Sequence, residues 1–425
     1  MYCSNARSFG ELREYLDRIP VIETHEHYTK YQKAEDPLDF IIGNYYMSDF
    51  QSAGGEGWFD GGARGEERER ERFEEFLKYY HKSDKTAYAR GMQQGLRQVW
   101  GVEKIDCFED YKAFADKLKS RDETVYERTM DELNIKAKVV DIFDLADYVE
   151  GKTTHSKYCR FAFSLPFFHD VHSKNDLLRL QKHLDRPVTT LDDYLECFEN
   201  YLSKCVDFGV VCFKDQTAYR RSIAYGNPSR ADAEKIFDEM IYSPRDIFGD
   251  DRVRALDDFL FQYAMRAAAK RGLPVQIHTG HMAGIRNDIV KTNAAGLIPV
   301  LELHQNVNFS LFHGNWPYMD EYLYIGKNFP NAYLDLCWVQ VIDPLYCVEL
   351  MKRAVMTVPH SKLFAFGGDT GMVEWVAGYL HIAKDNVAIA LSELTDSGWL
   401  DMGEAKQIAV DWFFNNPNAF YKLGL

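Results

Sequence analysis

The chain has 425 residues, 46% of them hydrophobic and 14% aromatic, enough to bury a large core and too apolar for disorder over most of its length. Its formal net charge of -15, with no local basic stripe, argues against nucleic acid as a partner, because the phosphate backbone would be repelled. No stretch reaches the roughly 18 apolar residues of a membrane span. Residues 1–19 carry Arg7, Glu11, Arg13, Glu14 and Asp17 among their apolar positions, so a signal peptide is not expected either. These features point to a soluble cytoplasmic protein with a small-molecule partner, with homo-oligomerisation left open. Eight cysteines, Cys3 to Cys347, contain no CxxC pair, which speaks against a disulfide framework or a thiolate zinc site.

In chain order, residues 8–18 read as a short amphipathic helix, with Phe9, Leu12, Tyr15, Leu16 and Ile19 at helical spacing, ended by Pro20. A first strand follows, closing in His25-Glu26-His27. Alternate side chains of a strand share a face, so His25 and His27 can reach one ion at the strand's end. Residues 28–106 form a long insertion rich in aromatic and charged residues, punctuated by Gly54-Gly55 and Gly61-Gly62. Its run 64–72 alternates in sign, with Glu66 and Arg70 as an i,i+4 pair, and reads as a solvated helix face.

From about residue 124, helices alternate with short apolar runs. Strands are expected at 137–141, 158–163, 209–214, 275–278, 309–313, 332–336 and 363–369, with helices at 191–204 and 253–270. A final helix through Trp412 and Phe413 is expected to stop at Asn415-Asn416-Pro417. Eight strands alternating with helices predict an α/β fold, a (β/α)₈ TIM barrel, as one domain over 1–425 with its insertion after strand one.

The barrel hypothesis gathers scattered residues. In such a fold the site lies at the C-terminal ends of the strands, and His25, His27, Lys214, His278, His313 and Asp369 all end apolar runs. Imidazole and carboxylate together suit zinc, manganese or iron. Lys214 reads equally as a salt-bridged lysine at the mouth. His281 reads as a substrate contact or loop residue. Tyr219, Arg220, Arg221 and Arg286 are either ordinary loop residues or a grip on a substrate carboxylate. The remaining histidines, including His169, His183 and His304, lack strand-end context and read as surface or satisfied core residues.

The pattern of HxH, strand-four lysine, strand-five and strand-six histidines and strand-eight aspartate resembles the amidohydrolase superfamily of metal-dependent barrel enzymes. Phe213-Lys214 with Tyr219-Arg220, His278-Thr279-Gly280, and His313-Gly314-Asn315-Trp316-Pro317-Tyr318 resemble the amidohydrolase-related domain fused to some glutamine-synthetase-like proteins. The insertion and the stretch from His278 to Asn287 are similar to uronate isomerases. The resemblance implies His25, His27, His278 and Asp369 as metal ligands, and Asp369, Lys214 and His313 as catalytic groups. Tyr219, Arg220, Arg221, His281, Arg286 and Trp316 would contact substrate. It implies a divalent metal, zinc before manganese or iron. One ion is favoured, and two would follow if Lys214 were carbamylated. Uronate isomerases follow the strand-eight aspartate with Ser-Arg, whereas Thr370-Gly371 stands here. A hydrolase of a small anionic substrate (sugar acid, lactone or amide) is therefore expected first, with a sugar-acid isomerase, a metal-dependent decarboxylase and a non-catalytic binding or scaffold barrel as alternatives.

Overall fold

The computed structural model describes residues 4–31, 36–56, 65–243 and 246–425; Cys3, Gly61, Gly62 and Arg64 lie outside them. Eight parallel strands stand side by side in sequence order: β1 (Val21–Glu26), β2 (Ile135–Ile142), β3 (Cys159–Ser164), β4 (Val210–Asp215), β5 (Val275–Ile277), β6 (Phe309–Leu311), β7 (Ala332–Asp335) and β8 (Leu363–Phe364). This is the expected TIM barrel. Several strands end earlier than expected, and beyond their ends His313, Trp338 and Asp369 adopt left-handed backbone, with φ of 60°, 64° and 52°. Such geometry disfavours side chains with a Cβ and recurs at functional sites, where the surroundings enforce it.

The last seam closes without a regular ladder. Beyond β8, Thr24 N–H donates to Phe366 O at 3.0 Å and Asp369 N–H to His25 O at 3.0 Å. Gly367 and Gly368 permit this approach: a Cβ on Gly367 would lie 2.7 Å from both Cys337 Sγ and Thr24 Oγ1, and one on Gly368 would collide with Glu26 Oε1. β1 answers with a register irregularity between Glu23 and Glu26, a local kink of the kind that re-aims side chains near sites.

The barrel interior is polar above and apolar below. Thr24 Oγ1 and Ser310 Oγ both donate to Asp335, at 3.0 Å each, and Gln276 Nε2 spans to Thr24 O and Tyr421 Oη, at 2.8 Å each. Beneath them Val139, Ala162, Cys212 and Phe364 pack on Phe420 and Tyr421. Those two aromatics come from a helix that the sequence reading ended too soon. The chain passes from Met402–Val410 through a wide turn, Asp411–Asn415, into a further helix, Asn416–Tyr421. Pro417 sits in the first turn of that helix, where a missing N–H costs no intrahelical bond.

Helix α1 (Phe9–Arg18) precedes β1, and six helices separate β1 from β2: α2 (Pro37–Ile42), α3 (Tyr46–Ser52), α4 (Glu66–Ser83), α5 (Ala87–Trp100), α6 (Phe108–Lys119) and α7 (Thr124–Glu132). On α4, Glu66 pairs across to Lys112 of α6 at 3.2 Å, and Arg72 is buried and donates to Asp36. The expected solvated face therefore bridges helices in part. α5 is held against the long helix Val373–Asp396 at glycines. A Cβ on Gly378 would collide with Gly91 O, one on Gly95 with Glu374 O, and the Tyr379 ring covers Gly91. A buried bidentate pair, Arg121 to Glu374 at 2.7 Å on both arms, adds a second fastening. These contacts fix the inserted helices over the C-terminal ends of the strands.

Gly378→Ala is expected to destabilise the chain by about 1–3 kcal/mol through overpacking, read as a lower urea midpoint. Gly10→Ala in α1, where a Cβ meets nothing within 4 Å, is the matched control and should be neutral or stabilising by about 0.5–1 kcal/mol.

Candidate metal centre

β1 and the turn after β8 bring three ligand-type groups together. His27 Nε2 lies 2.8 Å from Asp369 Oδ1, His25 Nε2 lies 3.5 Å from the same oxygen, and the three residues form a group whose ligand atoms all fall within 4.8 Å of one another. Burial opposes ionisation of Asp369, but His25, His27 and His313 together hold its carboxyl well below the usual range. His25 is driven well below the usual imidazole range by burial and by Lys214, so it is neutral, and its Nδ1 has no partner among the described residues. Burial would also lower His27, yet the bond to Asp369 raises it. Two imidazoles and an ionised carboxylate with no competing structural duty fit a divalent ion of the zinc, manganese or iron type.

A second grouping, His313, Cys337 and Asp369, is as tight, but burial pushes the Cys337 thiol well above its usual value. A protonated thiol is a poor ligand. Cys337 serves instead through its carbonyl, which accepts from His313 Nδ1 at 2.9 Å.

That bond fixes a tautomer. His313 keeps its proton on Nδ1, so Nε2 presents a lone pair. His278 donates from Nε2 to His281 O at 2.7 Å, which leaves its Nδ1 as a lone pair as well. These two nitrogens face each other at 3.1 Å, and His313 Nε2 is 3.6 Å from Asp369 Oδ2. Burial lowers both rings, His313 to about 3. Two neutral acceptors pointed at one another are an arrangement that a cation relieves. The expected ligand His278 therefore stands one residue away from the tight group, joined to it through His313. Lys214 is buried, with Nζ 4.2 Å from the centre of the Phe312 ring.

Aromatic side chains cover this centre. Tyr219 lies against His278 with ring centroids 4.8 Å apart and accepts from Ala283 N–H. His281 packs between Trp316 and Trp338. Trp316 donates to Asp343. Arg286 is exposed on the loop after β5, whose Gly284 N–H bonds Ser48 of α3. Sequence reasoning missed Trp338, which touches His313 from below and Tyr45 and Tyr88 from above. It also missed Asp141 at the end of β2, whose carboxyl is raised by burial while His27 and Lys214 pull it down. Asp141 ends an apolar run as the noted residues do, so the signal was present; Trp338, three residues beyond β7, gave none.

Arg220 and Arg221 do not reach the mouth. Arg221 donates to Asp257 at 3.0 Å and Asp258 at 2.6 Å, and Arg220 pairs with Asp170, Asp250 and Asp257. Their donors are spent on carboxylates of this chain, which removes the expected grip on substrate. At the centre of that network sits His169, fully buried, with Nδ1 2.5 Å from Asp257 Oδ1 and Nε2 3.2 Å from Asp215 Oδ1. It is an ion-paired keystone behind β4, and its partner Asp215 follows Lys214 directly in sequence.

With this geometry in place, three comparisons are informative. Residues 247–370 match the family model described as amidohydrolase. Protein fluG of Emericella nidulans is 26% identical over 228 residues, covering 51% of this chain and 26% of that protein, so the chain spans about a quarter of the length of this curated relative. Among solved structures, a uronate isomerase from Thermotoga maritima superposes with a TM-score of 0.80 at 12% identity, covering 99% of this chain and 100% of that one. A protein named as a metal-dependent hydrolase from Lactobacillus casei superposes with a TM-score of 0.69 at 15% identity, covering 97% and 98%. The structural likenesses establish the shared fold, and the matches together bear out the resemblance to the amidohydrolase superfamily. No helix of the described residues is long and apolar enough to cross a membrane.

The network around His169 predicts a pH signature. Burial alone would lower His169, but Asp257 and Asp215 raise it to about 9. Its stabilising charge is fully present below the unfolded value near 6.5 and is lost as pH rises through about 9. Lys138, Lys362 and Lys384, each pushed down to about 8 by burial, act in the opposite direction. The diagnostic quantity is therefore a difference: the stability advantage of wild type over His169→Asn in urea unfolding should shrink between pH 6.5 and pH 10. A constant advantage across that window contradicts the ion-paired state.

Proposed function

We propose that this chain is a metal-dependent hydrolase acting on a small, oxygen-rich anionic substrate such as a sugar acid, lactone or amide. The observation that carries this reading is the convergence of His25, His27 and Asp369 beside the facing lone pairs of His278 and His313. His25, His27 and Asp369 would hold one divalent ion, zinc before manganese or iron. When bound, the ion would supply Lewis acidity towards a substrate oxygen and acidify a nearby water.

The chain's own groups then divide the work. Asp369, ionised and buried, is the base that takes the proton of the attacking water and returns it to the leaving group. Lys214 is the donor to the developing oxyanion, because its Nζ lies buried beside the Phe312 ring. His313 cannot share that task as a neutral donor, since its single N–H is committed to Cys337 O. Its Nε2 lone pair, facing His278 Nδ1 and Asp369, is left to accept from a cation or a donor entering the site. One ion is favoured over two, with Lys214 as a free amine near substrate. Tyr88 Oη, Tyr379 Oη and Trp338 Nε1 are buried donors with no partner among the described residues, and His281 Nε2 is a further unpartnered polar atom. Donors of this kind suit a substrate rich in acceptor oxygens, with Arg286 as the one arginine of the expected set left exposed to meet a carboxylate.

A sugar-acid isomerase is the second reading, supported by the end-to-end likeness to the uronate isomerase fold. There Asp369 or Lys214 would move a proton between neighbouring carbons. Thr370-Gly371 in place of Ser-Arg weighs against it.

Screening against lactones, N-acyl amino acids and hexuronates separates the readings by product. On whichever substrate is turned over, Asp369→Asn should lower kcat by about 10²- to 10⁴-fold with an unchanged circular dichroism spectrum. Turnover near wild type in that variant would place the chemistry elsewhere.

A further inference from the structure

Asp369 is held in an unfavourable backbone conformation, φ 52°, and something must enforce it. Left-handed geometry is unfavourable for a residue with a Cβ. Three contacts flank the residue, and all come from β1. Asp369 N–H donates to His25 O at 3.0 Å, His27 N–H donates to Thr370 O at 3.3 Å, and Thr370 N–H donates to Glu26 Oε2 at 3.0 Å. The first two are backbone bonds that many sequences could make. The third depends on a side chain.

Glu26 stands between the two histidines of the HxH run but serves the opposite side of the strand. One carboxyl oxygen takes the amide that follows Asp369. The other presses on the α-carbon of Gly368, the residue before Asp369, so closely that a Cβ there would collide with it. Glu26 thus touches the chain on both sides of the metal-ligating carboxylate and is itself fully buried. Glu23 backs it from β1, with its Oε1 2.8 Å from the same would-be Cβ. Lys138 of β2, paired in register with Glu23, donates to Tyr28 O at 2.5 Å and closes the pocket.

We propose that Glu26 is a positioning residue for the metal centre: its carboxyl group clamps the Gly368–Thr370 turn and thereby aims Asp369 at the imidazoles of His25 and His27. The inference rests on the metal-centre reading above. Glu26 reaches the ion only through Asp369, and its removal should loosen metal binding without unmaking the barrel.

Glu26→Met separates this role from a merely structural one. Methionine fills a similar volume, but its thioether is a poor acceptor, so the buried Thr370 amide loses its partner and some stability with it. Glu26→Gln keeps an acceptor oxygen at the same reach. Zinc affinity of the full-length protein is measured by competition with a chromophoric chelator, alongside the melting temperature. The expected result is a 10- to 100-fold weaker affinity in Glu26→Met, the range seen when partners of metal ligands are removed, with a protein whose melting curve shows it still folded at the assay temperature, and substantial recovery in Glu26→Gln. Wild-type zinc affinity in Glu26→Met overturns the proposal, as does an equal loss in both variants. If Glu26→Met fails to fold, the Glu26→Gln affinity decides alone: within a few-fold of wild type supports the clamp, and a 10-fold or greater loss refutes it. Failure of the wild-type protein itself to bind zinc would be a different result, directed at the metal-centre reading and not at Glu26.

Discussion

The seam between β1 and the chain leaving β8 is the constraint on which the rest of the structure depends. A barrel of eight strands needs one pairing between residues far apart in sequence, and here it joins Thr24 and His25 to Phe366 and Asp369. That single closure completes the fold and assembles the ligand group, because the two histidines and the aspartate lie on the two sides of the seam. Two successive glycines let the backbones approach: the buried carboxyl groups of Glu23 and Glu26 fill the space beside Gly368, and Cys337 Sγ and Thr24 Oγ1 the space beside Gly367. Closure by short hydrogen-bonded segments, and not by a long ladder, leaves the turn after β8 free to take the left-handed geometry at Asp369.

Two further structures support that seam from outside. The glycine-lined contact of α5 with the Val373–Asp396 helix ties the inserted helices to the element that follows Asp369, so the aromatic cover of Tyr45 and Tyr88 is anchored to the barrel. Behind β4, His169 and its carboxylates fix the strand that carries Lys214. Each buried charge in that network has an opposite partner, the condition under which burial is tolerable. The consequence for function is that the arginines after β4 belong to the scaffold, and recognition of an anion falls to other groups at the mouth.

Much of this was legible beforehand. Apolar runs marked all eight strands, and a ligand-type residue closing five of them located His25, His27, Lys214, His278, His313 and Asp369 at one end of the barrel. Pattern reading failed where the deciding contact lies far away in sequence. Arg220 and Arg221 looked available because Asp257 and Asp258 are more than 30 residues away and helical phase alone does not aim them. His169 looked bland because its role comes from Asp215 and Asp257, both distant. Glu26 was masked by its neighbours: in an alternating strand it faces away from His25 and His27, and its worth appears only when the turn after β8 is laid against it. Trp338 depends on a left-handed residue that no local propensity predicts.

The central claim is that His25, His27 and Asp369 hold a divalent metal ion. The most direct measurement is elemental analysis of protein prepared without chelators, together with the same preparation of His25→Ala. The account predicts at least one equivalent of zinc, manganese or iron per chain in the wild type and a large loss of it in the variant. Wild-type protein that contains none of these metals and takes up none when they are supplied would contradict it.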